Sequence, residues 1–217
     1  MLLAPLKDLD QWKALLASPE TQWKDGYSAK ALATRWHETG GWPPEIEALL
    51  ASNDATRGAR PLLAIPEHKV PLRGGAKASQ TDLWLLAKTA RGLLSVAVEG
   101  KVAESFGPTV GEWRSGASIG KSERWQYICR LLDIAGDCQP AIRYQLFHRT
   151  VSALIEAERF CARAAAVIIH SFSPTHESFG DFQQFVALLG SRIDRPGQMV
   201  SVAPRQGIEL SFGWAQR

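Results

Sequence analysis

Residues 82–101 read DLWLLAKTARGLLSVAVEGK, two apolar runs joined by the four-residue turn TARG. Apolar runs of this length around a glycine-containing turn predict a β-hairpin. With a loop of two or four residues, Asp82 lies opposite Glu99 and Gln80 lies opposite Lys101, and opposed side chains share one face of a sheet. A three-residue loop shifts the pairing by one residue and needs a bulge to restore it.

The charged groups at the open end of this hairpin predict a metal-dependent hydrolytic site. The carboxylates of Asp82 and Glu99 suit Mg²⁺, which takes one or two protein carboxylates and keeps several waters. A bound metal lowers the pKa of a water molecule, and Lys101 can orient that water or stabilise the transition state. We therefore expect phosphodiester hydrolysis. The alternative is an edge hairpin whose cross-strand ion pair contributes only about 0–1 kcal/mol.

The pattern of Asp82 followed by Glu99-Gly100-Lys101 resembles the PD-(D/E)XK nuclease superfamily, which has the restriction-endonuclease-like fold. The wider chain also resembles an uncharacterised bacterial family within that superfamily, in the segments 74–82, 99–101 with 106–113, and 143–149. The resemblance implies that Asp82 and Glu99 bind Mg²⁺ or Mn²⁺ and that Lys101 is the catalytic lysine. Thr81 stands where the superfamily motif has proline.

The order of predicted elements indicates an α/β fold, a central mixed sheet flanked by helices with a restriction-endonuclease-like core. The apolar periodicity predicts helices at 9–16, 29–38 (capped by Ser28), 45–51, 123–135, 141–163 and 179–189. Strands are expected at 62–72, in the hairpin, and at 165–169, 199–203 and 208–212, with Pro66 confining the first to an edge or a bend. We expect one domain over 1–217, divided into a helical part (1–60), a core with the hairpin (61–175) and a final helix with two strands (176–217).

Length and composition fit an ordinary globular protein. The 217 residues are 45% hydrophobic and 22% charged, enough for a sizeable core, and the net charge of +3 permits a polyanionic partner without demanding one. The cysteines, Cys129, Cys138 and Cys161, lack metal-site spacing and are expected to be reduced and mostly buried. No apolar run could span a membrane and the start lacks a secretion signal, so a cytoplasmic location is expected.

Nucleic acid, DNA in the first instance, is the expected partner, and several polar residues near the hairpin could contact its phosphates. Arg73 and Lys77 precede the first hairpin strand, where Ser79 and Gln80 follow them. Gln145 and Arg149 lie four residues apart on one face of a predicted helix, where they could support the metal or touch a phosphate. The alternatives are an ordinary solvated surface and satisfied turn residues.

Three points stay open in the sequence. A further acidic ligand could come from Glu38, Glu45, Glu47 or Glu67, and nothing selects among them. The segment 115–122, SGASIGKS, comes within one residue of a P-loop, so a nucleotide binder using Lys121 is an alternative function. A non-catalytic nucleic-acid or protein binding module on the same fold is another, and the oligomeric state is open, with a homodimer among the options.

Overall fold

The computed structural model describes residues 8–116, 118–136 and 140–217. They form an α/β structure in which helices flank both faces of a six-stranded mixed sheet with the strand order β1-β2-β3-β4-β6-β5. The strands are β1 Arg60–Val70, β2 Ser79–Thr89, β3 Gly92–Lys101, β4 Ala164–Ser171, β5 Met199–Arg205 and β6 Ile208–Gln216. The helices are α1 Leu9–Lys13, α2 Pro19–Gln22, α3 Ser28–Thr39, α4 Pro44–Ala51, α5 Val110–Arg114, α6 Ile119–Leu132, α7 Tyr144–Arg159 and α8 Phe179–Leu188.

The hairpin forms with a loop of two residues, one of the lengths that the sequence left open. Thr89 pairs with Gly92, and the antiparallel ladder continues to Leu83 and Val98, which is the register that directs Asp82 towards Glu99. The ladder described between β2 and β3 ends at that pair, so the predicted pairing of Asp82 with Glu99 and of Gln80 with Lys101 is not formed. The Gly100 N–H instead donates to the Asp82 carboxylate at 2.9 Å, and this contact closes the end of the hairpin.

Parallel pairing completes the sheet. Strand β4 lies between β3 and β6 and is parallel to both, whereas β1 pairs with β2 and β5 pairs with β6 in antiparallel ladders. Because β1 is an edge strand, its two prolines are tolerated, as expected for Pro66. The β-branched run in β4 is buried along its whole length, as parallel strands covered on both faces are.

Alternation along β3 assigns its side chains to two layers. Val96 and Val98 pack in one core cluster with Leu32, Trp36 and Ile46 of α3 and α4. The alternate residues of β3 face the other layer, where the Ser95 hydroxyl donates to the Ala153 carbonyl of α7 at 2.9 Å. Period-two alternation therefore directs the side chains at positions 99 and 101 towards α7.

Several predicted bounds were wrong for local reasons. Helix α6 begins earlier than 123 because the Ser118 hydroxyl caps it, accepting the Lys121 N–H. Helix α3 begins at Ser28 itself, which is therefore not the cap, and α7 is shorter than 141–163 at both ends. Helix α5 was not predicted, although Thr109 and Glu112 form a capping box at its start.

Two further expectations have mixed outcomes. Cys129 is buried but Cys161 is exposed in the turn after α7, which corrects the expectation of burial, and Cys138 lies outside the described residues. Within the described ranges, no helix is long and apolar enough to cross a membrane.

Candidate active site

Glu99 is the centre of a buried network of charged and polar side chains at the end of β3. It is 3% exposed and accepts hydrogen bonds from Lys101 Nζ at 3.0 Å, Gln145 Nε2 at 2.6 Å and Arg149 Nε at 2.6 Å. Burial acts to raise the pKa of Glu99, but the neighbouring Arg149 and Lys101 outweigh it and hold that pKa below its ordinary value. Glu99 is therefore a stable carboxylate with both oxygens engaged.

Lys101 is held in one orientation by the same network. Its ammonium group donates to Glu99 and, at 3.2 Å, to Gln145 Oε1, and it lies 4.9 Å from the centre of the Phe106 ring. The Gln145 amide must direct its NH₂ at the carboxylate and its oxygen at the ammonium, so both partners fix the same amide orientation. Gln145 thus positions Lys101 relative to Glu99.

Asp82 lies beside this network with less compensation of its charge. One oxygen accepts the Gly100 N–H at 2.9 Å, and the other is 4.0 Å from the Arg149 guanidinium. Burial, followed by the nearby charge of Glu99, raises the pKa of Asp82 to about 7. A carboxyl group with this pKa exchanges its proton near neutral pH, as groups at functional sites often do.

Glu67 is the further acidic residue that the sequence could not select. The pairs on either side of it, Pro66 with Leu83 and His68 with Thr81, place Glu67 opposite Asp82 across β1 and β2. Burial and then the charge of Asp82 raise the pKa of Glu67 to about 8. Its φ of 52° is unusual for a residue other than glycine, and backbone strain of this kind is concentrated at functional sites.

The other three acidic candidates lie elsewhere. Glu38 and Glu47 are exposed on α3 and α4, and Glu45 pairs with Arg35 and His170 on the opposite face of the sheet. Sequence reasoning had no signal for this choice, because it depends on the register between β1 and β2.

The donor set fits a divalent cation at Glu67 and Asp82. Burial and the charge of neighbouring carboxylates raise the pKa values of these two opposed carboxyl groups, so a bound cation would favour their ionised forms, and Mg²⁺ needs only one or two protein carboxylates. Glu99 already accepts two hydrogen bonds at Oε1 and one at Oε2. The described part of the chain contains no group of three or more His, Cys, Asp or Glu side chains arranged to hold a metal.

A cavity of about 760 Å³ opens above this network. Six predicted site residues meet in its lining: Lys77, Ser79, Gln80, Lys101, Gln145 and Arg149. The cationic side chains in the lining are Lys69, Lys77, Lys101, Arg124 and Arg149. None of the described residues that line the cavity is acidic, and the chemistry of its wall therefore favours an anion.

The loop between β1 and β2 forms one wall of the cavity and is fixed against α6. The Arg124 guanidinium donates to three loop carbonyls, those of Leu72, Arg73 and Gly75. At Gly74, with φ of 81°, a Cβ would lie 2.2 Å from the Gly120 carbonyl oxygen, so only glycine permits this approach. The loop brings Lys77 to the cavity, whereas the side chain of Arg73 lies over the Tyr127 ring and is not part of the lining.

Residues 5–217 match a family model described as a domain of unknown function, DUF6946. The chain belongs to this family. No curated protein and no solved structure matches it significantly. The function of this DUF6946 chain must therefore be argued from the geometry of its own side chains.

His148 is a cavity residue of the DUF6946 chain that the sequence did not identify as functional. Its Nδ1 lies 2.8 Å from the Ser79 hydroxyl, which also accepts a hydrogen bond from Arg149 NH1 at 3.2 Å. Burial, and then nearby cations of which Arg149 is the strongest, hold the pKa of His148 well below its ordinary value. The signal available in the sequence was its position on α7, one residue before Arg149.

The segment resembling a P-loop has a different role in this DUF6946 chain. It connects α5 to α6 rather than following a strand, and Lys121 Nζ donates to the Trp113 carbonyl at 2.8 Å. Ser118 is a helix cap. A phosphate-binding P-loop needs a preceding strand and a lysine free for the phosphates, so this arrangement does not favour nucleotide binding; Ala117 lies outside the described residues.

Proposed function

We propose that this DUF6946 chain is a metal-dependent phosphodiesterase that cuts nucleic acid, DNA in the first instance, on a PD-(D/E)XK core. The observation that carries the proposal is the position of Lys101. It lines a cationic cavity while its ammonium group is held by Glu99, and Asp82 and Glu67 lie next to that pair. Lysine, acidic residues and an anion-binding wall are the groups that phosphodiester hydrolysis needs.

The order of elements supports a restriction-endonuclease-like core. A helix precedes the three antiparallel strands β1 to β3, α7 follows, and the chain returns as β4 parallel to β3. This order agrees with the helix, three strands, helix and strand that the superfamily resemblance implies. It also puts Asp82 and Glu99 on adjacent strands beneath the same helix.

In this proposal each residue of the site has a separate role in hydrolysis. Glu67 and Asp82 would hold Mg²⁺ or Mn²⁺, which would lower the pKa of a water molecule and balance charge on the phosphate. Lys101 donates to a phosphate oxygen or orients the attacking water, and Glu99 and Gln145 aim its ammonium group. Arg149 keeps Glu99 ionised and fixed in place.

The test is cleavage of supercoiled, linear and single-stranded DNA with Mg²⁺ or Mn²⁺. Wild type is compared with Lys101→Ala, with Asp82→Asn and with the control Lys88→Ala, whose side chain is exposed near the opposite end of β2. We expect metal-dependent cutting by wild type and by the control, and loss of cutting in both site variants. Equal cutting by Lys101→Ala and wild type would contradict the assignment.

A second candidate, a non-catalytic binding module, is favoured by the position of Arg149. Its guanidinium lies 2.6 Å from Glu99 and 4.0 Å from Asp82, so a fixed cation already serves both carboxylates. Calorimetric titration with Mg²⁺ or Mn²⁺ separates the two candidates. Metal binding that is lost on Asp82→Asn supports the nuclease, whereas no such binding together with retained DNA affinity supports the module.

A further inference from the structure

One wall of the cavity contains a hydrogen-bonded chain in which Arg149 is the only member with a role in the proposed reaction. It runs from His148 through Ser79 to Arg149, with Ser79 Oγ 2.8 Å from His148 Nδ1, 3.2 Å from Arg149 NH1 and 3.3 Å from the His148 carbonyl oxygen. All three residues line the cavity.

The distances in this chain favour one tautomer of His148. Arginine can only donate, so Ser79 Oγ accepts from Arg149 and has one proton to give. The His148 carbonyl already accepts the Ser152 hydroxyl at 2.7 Å, and the contact of Ser79 with Nδ1 is the shorter of its two remaining contacts. When the serine proton points at Nδ1, which is the closer acceptor, a neutral imidazole carries its hydrogen on Nε2.

The electrostatic surroundings keep this imidazole neutral. Burial is the largest influence lowering the pKa of His148, and the cations that add to it are Arg149, Arg124, Lys77 and Lys101. Tyr144, whose ring centre lies 5.0 Å from the imidazole, has a raised pKa and is also neutral at physiological pH. A neutral imidazole can still donate one hydrogen bond, and the strength of that bond does not depend on a change of charge with pH.

Two lysines of the lining are available for an anion. Lys69 and Lys77 are exposed, and neither forms an ion pair with any residue that the structure describes, whereas Lys101 and Arg149 are paired with Glu99 and Arg124 is bound to loop carbonyls. A ligand entering this cavity therefore meets two unpaired ammonium groups and the His148 edge on walls that contain no described acid.

We propose that His148, Lys69 and Lys77 form a metal-independent subsite for a backbone phosphate of single-stranded nucleic acid, in which the His148 Nε2–H donates to a phosphate oxygen. The identity of the ligand rests on the proposed function, but binding at this subsite does not require cleavage. A single strand suits a cavity whose lining includes aromatic rings, since it can bring a phosphate and an unstacked base together.

The test is calorimetric titration of the protein with short oligothymidylate in the presence of EDTA. A neutral hydrogen bond contributes about 0.5–1.5 kcal/mol, so His148→Gln should weaken binding about 2- to 10-fold. That loss should be the same at about pH 5.5 and pH 8, on either side of the ordinary histidine pKa of about 6.5. Lys77→Gln should weaken binding and reduce its salt dependence, whereas the exposed control Lys88→Gln should do neither.

The outcomes that overturn the inference are distinct from failure of the proposed function. No oligothymidylate binding, unchanged affinity in His148→Gln, or a loss that grows towards acid pH each overturns it, as does a ¹⁵N spectrum showing the proton on Nδ1. A protein that binds through His148 in EDTA but cuts no DNA with metal loses only the proposed function. One that cuts DNA while His148→Gln binds normally loses only this subsite.

Discussion

Replacing Glu67 with glutamine is expected to stabilise the protein at alkaline pH and to change little at pH 5. The pKa of Glu67 is about 8 in the folded chain, against an ordinary value of 4.5. Between these values the folded state binds the extra proton, so the free energy of unfolding falls as the pH rises from about 4.5 to about 8. Glutamine removes the charge and keeps a carbonyl oxygen for Gln80, which donates to Glu67 at 2.7 Å.

The magnitude follows from the size of that pKa difference. A difference of about 3.5 corresponds to at most about 5 kcal/mol, and only about 1 kcal/mol of this is present at pH 5, where the unfolded chain is still partly protonated. Part of the remainder belongs to the repulsion with Asp82, which shares the proton. We expect the advantage of Glu67→Gln over wild type to grow by about 3 kcal/mol between pH 5 and pH 8.

The assay is urea unfolding of both proteins in EDTA across this pH range, with Glu47→Gln as the matched control. Glu47 is an exposed carboxylate on α4, so its replacement changes the net charge by the same amount at a position away from the site. A stability difference for Glu67→Gln that stays constant from pH 5 to pH 8, or that grows in the opposite direction, would refute the reasoning about the charge at Glu67.

Three further predictions follow from the same contacts. Arg149→Gln should cost about 3 kcal/mol of unfolding free energy because the buried Glu99 carboxylate loses its guanidinium partner. The control Arg91→Gln breaks an exposed ion pair and should cost at most about 1 kcal/mol. Equal costs for the two variants would contradict the account. Gly74→Ala should lower the thermal midpoint much more than Gly26→Ala, since both glycines have φ near +80° but only Gly74 lacks room for a Cβ; similar midpoints would remove the steric argument. Mg²⁺ binding should release about one proton near pH 7 and should tighten as the pH rises from about 6 to 8. Calorimetry in buffers of different ionisation enthalpy measures the number of protons released. Binding that does not depend on pH would argue against Glu67 and Asp82 as the ligands.

The hairpin and its register could be predicted because they depend on local signals. Two apolar runs and a turn containing glycine predict the hairpin, and loops of two and of four residues both give the register that β2 and β3 adopt. The helical spacing of Gln145 and Arg149 likewise predicted a shared face, and both side chains do reach Glu99. Short-range periodicity is enough for features of this kind.

The remaining features of the site depend on long-range contacts that the sequence does not encode locally. Glu67 joins the site through the register of β1 against β2 and through a positive φ, neither of which has a signature in the run LLAIPEHKV. The position of His148 depends on Ser79, which is 69 residues away in the chain. Arg73 and Lys77 were both expected near the site, and the loop places Lys77 in the cavity lining but Arg73 over the Tyr127 ring.

The measurement that tests the central claim most directly is the time course of cleavage of single-stranded and supercoiled DNA by wild type and Lys101→Ala with Mn²⁺. Circular dichroism should first show that both proteins have the same fold, because Glu99 keeps Arg149 and Gln145 as partners when Lys101 is removed. The account predicts metal-dependent cutting by wild type that falls to background in Lys101→Ala and persists in Lys88→Ala. Cutting at the same rate in wild type and Lys101→Ala, or no cutting by wild type with any metal or DNA form, would contradict it.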